Sequence, residues 1–403
     1  MKALRVRYQG RDVGRLAEIV AGSRTYLGFE YDPSFLAAGE ALSPFKLPLR
    51  PGVQFRDGEV PGDQLPGLFE DSLPDAWGDR IMTDWFVRQG TPAHRVTPLM
   101  KLAYVGRRGM GALEYEPGDG PDLSESVELE RIAGDAERAV EVGTFSEALT
   151  VVGTSAGGAQ PKALVALASP TTTNAGFSVW TGSGEIPAGF APWLVKFTLA
   201  RLVRPGLDAR VEHAYARMAA AAGIDVPETR LLPAAGLVHF ASRRFDRHGS
   251  ERIHYHSLAR LLHAVGGDLD YDTLLRVTSK LTHRHADVVE AYRRAVFNVL
   301  ARNDDDHGKN HGFLYRGREW RLAPAFDVTH CPLPERGLAV CGERRHARRS
   351  QLEDLAARFD LKREAPGIIE ACVAALRQWP RFAALANVPE ALTAEVARDL
   401  AAH

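Results

Sequence analysis

The chain has 403 residues, of which 45% are hydrophobic and 25% are charged, and its 50 basic and 51 acidic side chains nearly balance. A chain of this length is too long to fold around one compact core, so we expect two or three domains. The balanced charge excludes a general electrostatic attraction to nucleic acids or membranes. Three cysteines without paired spacing exclude a disulfide framework and a cysteine-rich zinc site. No apolar run approaches the roughly 20 residues that span a bilayer, so we expect a soluble cytoplasmic protein without a signal peptide and without membrane contact.

The first part of the chain is predicted to form a small β-sheet. Leu4, Val6 and Tyr8 alternate with polar residues before a turn at 9–12, which is typical of a β-hairpin. A passage rich in proline and glycine follows and leads into a predicted helix at 80–89. A second polar, glycine-rich passage then predicts a domain boundary near residue 120.

The stretch 153–162 reads Gly-Thr-Ser-Ala-Gly-Gly-Ala-Gln-Pro-Lys and precedes an apolar run that is typical of a strand. Glycines allow backbone amides to surround phosphate oxygens. Ala159 stands where a Walker loop requires lysine, so this is not a Walker loop. A plain flexible turn explains the composition equally well.

The next informative residue is Lys196, within the predicted strand 193–197. A lysine on a half-buried strand either extends to solvent or pairs with phosphate, as in kinases. The predicted helix 210–222 carries Glu212 in its first turn, where the helix dipole favours an acidic residue. Glu212 could also pair with Lys196, and the sequence leaves both interpretations open.

The stretch 297–315 concentrates polar chemistry between two apolar runs, and its aspartates at 304–306 follow a predicted helix at 286–300. A helix C-terminus disfavours negative charge, so a bound cation such as Mg²⁺, which prefers oxygen ligands, would explain the acidic run. A predicted hairpin then leads to Asp327, an isolated aspartate among apolar residues. A buried carboxylate requires a metal or a partner, and a nearby arginine is the simpler alternative.

The order of these parts is more specific than any part alone. Kinases use a glycine-rich loop, a strand lysine, a helical glutamate, an aspartate loop with a following asparagine and a later aspartate in this order. The spacing differs from the His-Arg-Asp and Asp-Phe-Gly signatures of eukaryotic protein kinases. The pattern therefore indicates a more distant kinase-like arrangement.

On these motifs the chain resembles the HipA family, the kinase toxins of bacterial HipBA toxin–antitoxin modules. The motifs are Gly-Gly-Ala-Gln-Pro-Lys at 157–162, Trp-Leu-Val-Lys-Phe at 193–197, Arg-Phe-Asp-Arg at 244–247, Asn-Asp-Asp-Asp-His-Gly-Lys-Asn at 303–310 and Leu-Ala-Pro-Ala-Phe-Asp at 322–327. The N-terminal hairpin and Leu-Pro-Asp-Ala-Trp-Gly at 73–78 also resemble the family, so the likeness extends over nearly the whole chain.

The resemblance implies an α+β, kinase-like, two-lobed fold with a β-rich N-terminal subdomain and a mainly α-helical C-terminal lobe. The predicted divisions are an N-terminal subdomain at 1–120, a kinase N-lobe with the glycine-rich loop and strand lysine at 121–246, and an α-helical C-lobe at 247–403.

The resemblance also implies a role for each matching residue. Asp305 would be the catalytic base, Asn310 and Asp327 would be Mg²⁺ ligands, and Lys196 would pair with the phosphates of ATP. Asp304 and Asp306 have no assigned role, and such flanking residues are candidates for pointing to solvent. The other residues that would contact ATP lie in the phosphate-covering loop, the adenine linker and the catalytic loop: Gly157, Gly158, Ala159, Gln160, Pro161, Lys162, Arg243, Arg244, Phe245, His307 and Lys309.

Further expectations concern regulation and partners. Ser155 stands where the family carries a serine whose autophosphorylation inactivates the kinase, although a small loop residue is the simpler interpretation. The implied partners are a protein substrate, which in some relatives is an aminoacyl-tRNA synthetase, and a HipB-like DNA-binding antitoxin that provides most of the contact with operator DNA. The basic cluster 344–349 would either contact DNA phosphates or form a solvated face.

Two other functions remain open from the sequence. The aspartates at 304–306, together with His307 and His311, could bind two metals in a phosphoesterase. Such a site leaves the glycine-rich loop and Lys196 unexplained. The chain could also act as a weakly active co-repressor bound to DNA with its antitoxin, although Asp305, Asn310 and Asp327 are all present.

Overall fold

The computed structural model describes residues 3–58, 61–121, 125–153, 160–168, 176–182, 185–200, 204–264 and 268–401. Four residues of the predicted phosphate loop and modification site, Ser155, Gly157, Gly158 and Ala159, lie outside these ranges. Gln160, Pro161 and Lys162, at the end of that loop, lie within them.

An antiparallel sheet forms most of the N-terminal region. Its strands are β1 (Ala3–Tyr8), β2 (Arg11–Ala21), β3 (Arg24–Tyr31), β4 (Val53–Gln54) and β5 (Leu113–Glu116), in the order β4-β3-β2-β1-β5. The accompanying helices are α1 (Pro33–Ala38), α2 (Gly67–Glu70), α3 (Ala76–Arg88) and α4 (Pro98–Val105), with a 3-10 turn at Ala93–Arg95. Leu4, Val6 and Tyr8 of β1 all point inward, as expected for alternating residues on a sheet with one buried face.

A second antiparallel sheet carries the predicted nucleotide-binding strands. Its members are β6 (Ser126–Glu128), β7 (Lys162–Ala168), β8 (Ser178–Trp180), β9 (Phe190–Lys196), β10 (Thr229–Ala234) and β11 (Leu237–Arg243), in the order β10-β11-β9-β7-β8-β6. The helices of this region are α5 (Leu129–Val142), α6 (Glu147–Val152) and α7 (Ala209–Ala221), with a 3-10 turn at Pro205–Leu207. The register of β7 and β9 sets Lys162 directly opposite Lys196.

The C-terminal region is mainly helical. Its helices are α8 (Leu258–Leu261), α9 (Tyr271–Thr282), α10 (His285–Leu300), α11 (Arg349–Arg358), α12 (Ala365–Leu376), α13 (Trp379–Leu385) and α14 (Glu390–Ala401). Its strands are β12 (Arg247–His248), β13 (Glu251–Arg252), β14 (His254–Ser257), β15 (Gly312–Arg316) and β16 (Glu319–Leu322). Strands β15 and β16 form the predicted hairpin, and β14 pairs with β15.

Helix α7 connects the second sheet with the helical region. It packs against β11 on one side and against α12 and α13 on the other. Asp208 caps its N-terminus by accepting a hydrogen bond from Arg210 N at 2.8 Å. Tyr215 of α7 donates a hydrogen bond to the carbonyl of Ala301, just after α10, at 3.0 Å. The helix that carries Glu212 is therefore held against the segment that leads into the acidic run.

The N-terminal region contributes to two hydrophobic cores. Phe29 and the other inward residues of the first sheet share one continuous core with Tyr271 and Val296 of the helical region. Trp77 and Ile81 of α3 belong to the core under the second sheet. Burying each of these side chains stabilises the folded state by roughly 1.5–3 kcal/mol. The N-terminal region is therefore anchored to the cores of both lobes. The predicted divisions at residues 120 and 246 stay predictions.

The observed helices also bear on the membrane question. Within the described ranges, no helix combines the length and the apolar character that crossing a membrane requires.

Candidate active site

Lys196 ends β9 and is buried between two carboxylates. Its Nζ donates a hydrogen bond to Oε1 of Glu212 at 2.6 Å and contacts Oδ1 of Asp327. Burial by itself would lower the pKa of Lys196, but the charges of Asp327 and Glu212 outweigh it and raise the pKa. The interpretation that this lysine extends to solvent is therefore wrong, because it is buried and paired with two carboxylates. Its pairing with phosphate stays a prediction.

Asp327 reaches this contact through an unusual backbone conformation. Its φ is +58°, in the left-handed region that few residues other than glycine adopt, and such conformations cluster at functional sites. Burial opposes ionisation of its carboxyl group, yet the charges of Lys196 and Lys162 hold its pKa well below the usual value. The side chain is 32% exposed, so the carboxylate remains accessible while it contacts Lys196.

Lys162 is a second buried lysine in this site, and only 4% of it is exposed. Burial is the main cause that lowers its pKa from 10.5 to about 8, and the positive charge of Lys196 across the strand pair contributes. The end of the predicted phosphate loop is fixed beside it. Phe197 N donates to the carbonyl of Pro161 at 2.8 Å, and Gln160 Nε2 donates to the carbonyl of Phe197 at 3.3 Å.

Three residues separate the end of α10 from the acidic run, and of the three aspartates in this run only the middle one, Asp305, is exposed. Asp304 and Asp306 are buried and both pair with Arg336, at 3.4 Å and 2.9 Å respectively. The suggestion that these flanking residues point to solvent is therefore wrong, because the arginine holds them inside. Arg336 thus offsets part of the negative charge at this helix end.

The loop around Asp305 is closed by its own hydrogen bonds. Asn310 Nδ2 donates to the carbonyl of Asp305 at 2.9 Å, and Asn310 N donates to the carbonyl of His307 at 2.8 Å. Although the Asp305 side chain reaches solvent, partial desolvation by neighbouring protein atoms is the largest effect on its pKa and raises it. His307 lowers this pKa, and Asp327 raises it further. Asn310 and Asp327 line one cleft beside this loop. The structure thus brings together the residues that the sequence predicted as base and metal ligands.

Gly308 packs closely against Leu269 and Ala259. A Cβ atom at Gly308 would lie 2.4 Å from Cδ1 of Leu269 and 3.3 Å from Cβ of Ala259. Ala259 N also donates to the carbonyl of Gly308 at 3.0 Å. A side chain at this position would have to displace the end of the Leu269 side chain, so the close packing favours glycine here.

The predicted adenine linker has a mixed outcome. The ring of Phe245 lies 5.6 Å from that of Phe326, next to Asp327 in sequence, and Arg243 lies over the ring of Trp193. The guanidinium of Arg244 instead forms two hydrogen bonds with the fully buried Asp246, at 2.9 and 2.7 Å.

The assignment of Arg243, Arg244 and Phe245 to ATP stays a prediction. For Arg244, the structure supplies a different partner.

Two residues of the N-terminal region contact the site, and the sequence indicated no role for them. Asp75 Oδ1 accepts a hydrogen bond from Nζ of Lys309, in the loop that follows Asp305, at 2.7 Å. Trp77 Nε1 donates to the carbonyl of Lys162 at 3.2 Å. Asp75 occupies the N-cap position of α3 but makes no side-chain capping bond. The motif at 73–78 drew attention to this segment through the family resemblance, but it did not indicate which residues Asp75 and Trp77 would contact.

The basic cluster is largely engaged within the chain. Arg344 donates to the carbonyl of Gly337 at 2.9 Å, and Arg345 and Arg349 form exposed ion pairs with Glu335 and Glu353. Arg345 and Arg349 are thus exposed as well as paired, and the choice between a solvated face and contact with DNA phosphates stays a prediction.

The structure also bears on the phosphoesterase alternative. His311 is 3% exposed, and its ring packs against that of Tyr271 with the centroids 5.9 Å apart. Burial lowers the pKa of His311 to about 3. Among the residues that the structure describes, no group of three or more histidine, cysteine, aspartate or glutamate side chains is arranged to hold a metal ion. The proposed two-metal cluster is thus not found in that part of the chain.

Comparison with known proteins tests the resemblance directly. The family model for the HipA N-terminal domain matches residues 4–116, and the model for the HipA-like C-terminal domain matches residues 154–379. "Putative kinase Y4mE" of Sinorhizobium fredii is 29% identical over 125 residues, which are 28% of this chain and 30% of that protein. A "Putative kinase" of Haemophilus influenzae is 30% identical over 143 residues, 31% of this chain and 42% of that protein. The matched segment thus spans less than half the length of each of these relatives.

The fold is shared with a solved complex. A chain in the structure of the Shewanella oneidensis MR-1 toxin–antitoxin system HipA, HipB and its operator DNA matches with a TM-score of 0.69 at 17% identity. The match covers 99% of this chain and 96% of that chain. The predicted α+β, two-lobed, kinase-like fold is confirmed by this likeness. Because the two matching family models together cover most of the sequence, the chain belongs to the HipA family.

Proposed function

We propose that the chain is an ATP- and Mg²⁺-dependent serine/threonine protein kinase that acts as the toxin of a type II toxin–antitoxin system. The observation that carries this proposal is the buried Lys196 between Glu212 and Asp327, in a site that also contains the exposed Asp305. Kinases use such a lysine–glutamate pair to position ATP and such an aspartate to receive a hydroxyl proton. The kinase names of the two partial relatives agree with this assignment.

The residues present fit the proposed chemistry. Asp305 is exposed, so its carboxylate can approach a substrate hydroxyl and accept its proton. Asn310 and Asp327 supply amide and carboxylate oxygens, the hard donors that Mg²⁺ prefers, and they line the same cleft. When bound, the metal would neutralise charge on the β- and γ-phosphates. Lys196 would pair with the phosphates of ATP, and the segment 157–162 would cover them.

Regulation by Ser155 is part of the proposal. A phosphate on Ser155 would add nearly two negative charges beside the ATP-binding loop and should inactivate the kinase. Mass spectrometry of the chain expressed with and without Asp305→Asn tests this. The absence of an Asp305-dependent phosphopeptide covering Ser155 would contradict it.

The proposed partners follow from the family. We propose a HipB-like antitoxin that provides most of the contact with operator DNA, and a protein substrate phosphorylated on a hydroxyl, such as an aminoacyl-tRNA synthetase. Comparative phosphoproteomics of cells expressing wild type or Asp305→Asn would identify the substrate as a phosphosite that appears only with the wild type.

The direct test is transfer of labelled γ-phosphate from ATP. Asp305→Asn should lower the transfer rate by about 10²–10⁴-fold, the usual contribution of a positioned general base, while ATP binding persists. Asp354→Asn, on the exposed face of α11, is the matched control and should retain full activity. Transfer that is unaffected by Asp305→Asn, or phosphodiester hydrolysis with Mn²⁺ in place of transfer, would contradict the proposal.

A further inference from the structure

We propose that Arg336 is a positioning residue for phosphoryl transfer: by pairing with the aspartates on both sides of Asp305, it holds Asp305 toward the substrate side of the loop. This inference rests on the proposed kinase function. It concerns a residue outside every motif that the sequence singled out.

The central contact is a buried guanidinium shared by two carboxylates. The side chain of Arg336 is 4% exposed, and its NH2 group donates to Oδ2 of Asp306 at 2.9 Å. Its NH1 group lies 3.4 Å from Oδ1 of Asp304. When two side chains separated by one residue are held on the same side of a loop, the residue between them is directed to the other side. Asp305 is accordingly the exposed member of the three.

Backbone contacts fix the segment of Arg336 along the catalytic loop. Gly337 N donates to the carbonyl of Asp304 at 2.8 Å, and Leu338 N donates to Oδ1 of Asp306 at 3.3 Å. A Cβ atom at Gly337 would lie 2.6 Å from the backbone nitrogen of His307. The backbone of 336–338 is therefore in direct contact with the backbone of the loop 304–307. This contact restricts the movement of Arg336.

Arg344 supports the same segment from behind. Its NH1 group donates to the carbonyls of Arg336 and Gly337 at 3.1 and 2.9 Å, and its NH2 group donates to the carbonyl of Leu269 at 3.0 Å. This part of the basic cluster thus has a structural role in the site.

We call the pairing of Arg336 with Asp304 and Asp306 the clamp. A chain of buried hydrogen bonds connects this clamp to the helices beneath it. The hydroxyl of Tyr271 on α9 donates to Oδ2 of Asp306. Asn298 of α10 donates to that hydroxyl at 2.9 Å, and Asn303 Nδ2 donates to Oδ1 of Asn298 at 3.0 Å. Because catalytic groups require supporting shells to hold their geometry, the clamp fixes Asp305 relative to the rigid helical core.

The clamp has both a charge component and a geometric component, and suitable variants separate them. Arg336→Met leaves the buried Asp306 without its arginine and leaves Asp304 paired with Arg302 alone, which is expected to destabilise the loop. Arg336→Met combined with Asp306→Asn removes one negative and one positive charge together. Arg336→Lys retains the charge but loses the planar fork that reaches two carboxylates.

We would measure kcat, the KM for ATP and the thermal midpoint of the full chain. Arg336→Lys and Arg336→Met should lower kcat by about 10–100-fold with KM nearly unchanged, because a small misplacement of a catalytic group costs about this much. The double variant with Asp306→Asn should regain the thermal midpoint but not kcat. Arg345→Met, which removes an exposed arginine of the same cluster, should change neither.

Backbone hydrogen exchange across 303–310 tests the clamp independently of catalysis. Arg336→Lys should accelerate exchange there about tenfold or more, and Arg345→Met should not. Unchanged exchange, unchanged kcat, or a double variant that regains both kcat and the thermal midpoint would overturn the inference. A wild-type chain without transfer activity would instead refute the proposed function, and the exchange result would still decide the role of Arg336.

Discussion

Replacement of Lys162 by methionine is expected to stabilise the folded chain at neutral pH. The side chain is 4% exposed and lies directly opposite Lys196. Burial and the neighbouring charge lower its pKa from 10.5 to about 8. A difference of about 2.5 units at roughly 1.4 kcal/mol per unit corresponds to about 3 kcal/mol, which is the cost of keeping this lysine charged in the folded state. Methionine fills a similar volume without that charge.

The effect should depend on pH with a definite sign. Between pH 8 and 10.5 the unfolded chain retains the Lys162 proton while the folded chain has lost it. The contribution of Lys162 to the free energy of unfolding therefore rises with pH between pH 8 and 10.5. The advantage of Lys162→Met should be largest near pH 7 and should shrink by about 3 kcal/mol toward pH 10.5.

The assay is chemical unfolding of both proteins at pH 7 and at pH 10. Lys362→Met, at an exposed position, is the matched control and should change stability by less than about 0.5 kcal/mol at both values. A Lys162→Met protein less stable than wild type at pH 7, or a difference independent of pH, would refute the reasoning. If Lys162 also contacts ATP as proposed, the stabilised variant should bind ATP more weakly, a common cost of stabilising a functional site.

Two further predictions concern the contacts of the N-terminal region and of the linker. Asp75→Asn should lower kcat/KM by about fivefold or less and leave the stability of the fold nearly unchanged. The reason is that the partly exposed ion pair between Asp75 and Lys309 contributes about 1 kcal/mol or less. A loss of kcat/KM above a hundredfold in steady-state transfer assays would contradict this. Asp246→Asn should lower the free energy of unfolding by about 3–5 kcal/mol at pH 7, because it leaves Arg244 and Arg247 buried without their carboxylate partner. The arginines outweigh the effect of burial and lower the pKa of Asp246, so its contribution is present above about pH 4 and is lost as the pH falls through the folded pKa. Thermal unfolding at pH 7 and pH 3 should therefore show a smaller cost at pH 3, and an equal cost at both values would count against the ion-pair explanation.

The local elements around the site were predictable from sequence. The run 193–197 falls almost entirely within β9 (Phe190–Lys196), and the predicted helix 286–300 is α10 (His285–Leu300). The hairpin before Asp327 also forms where its turn residues indicated. These elements depend on alternation, helical periodicity and turn chemistry, which neighbouring residues determine.

Contacts between distant segments were not predictable in the same way. Lys196 contacts Glu212 and Asp327, which lie 16 and 131 residues away along the chain. No local pattern distinguishes a lysine that extends to solvent from one that is buried between such partners. Asp75 and its contact with Lys309, 234 residues apart, belong to the same class.

The sequence by itself determined the order of the chemical parts and the family to which they belong. Only the tertiary structure decided which charges are paired, which aspartate of the acidic run is exposed, and that Arg336 holds the other two. The physical reason is that the cost of burying a charge depends on which partner packing brings within a few ångströms. That partner comes from a remote segment, so its identity is a property of the folded chain.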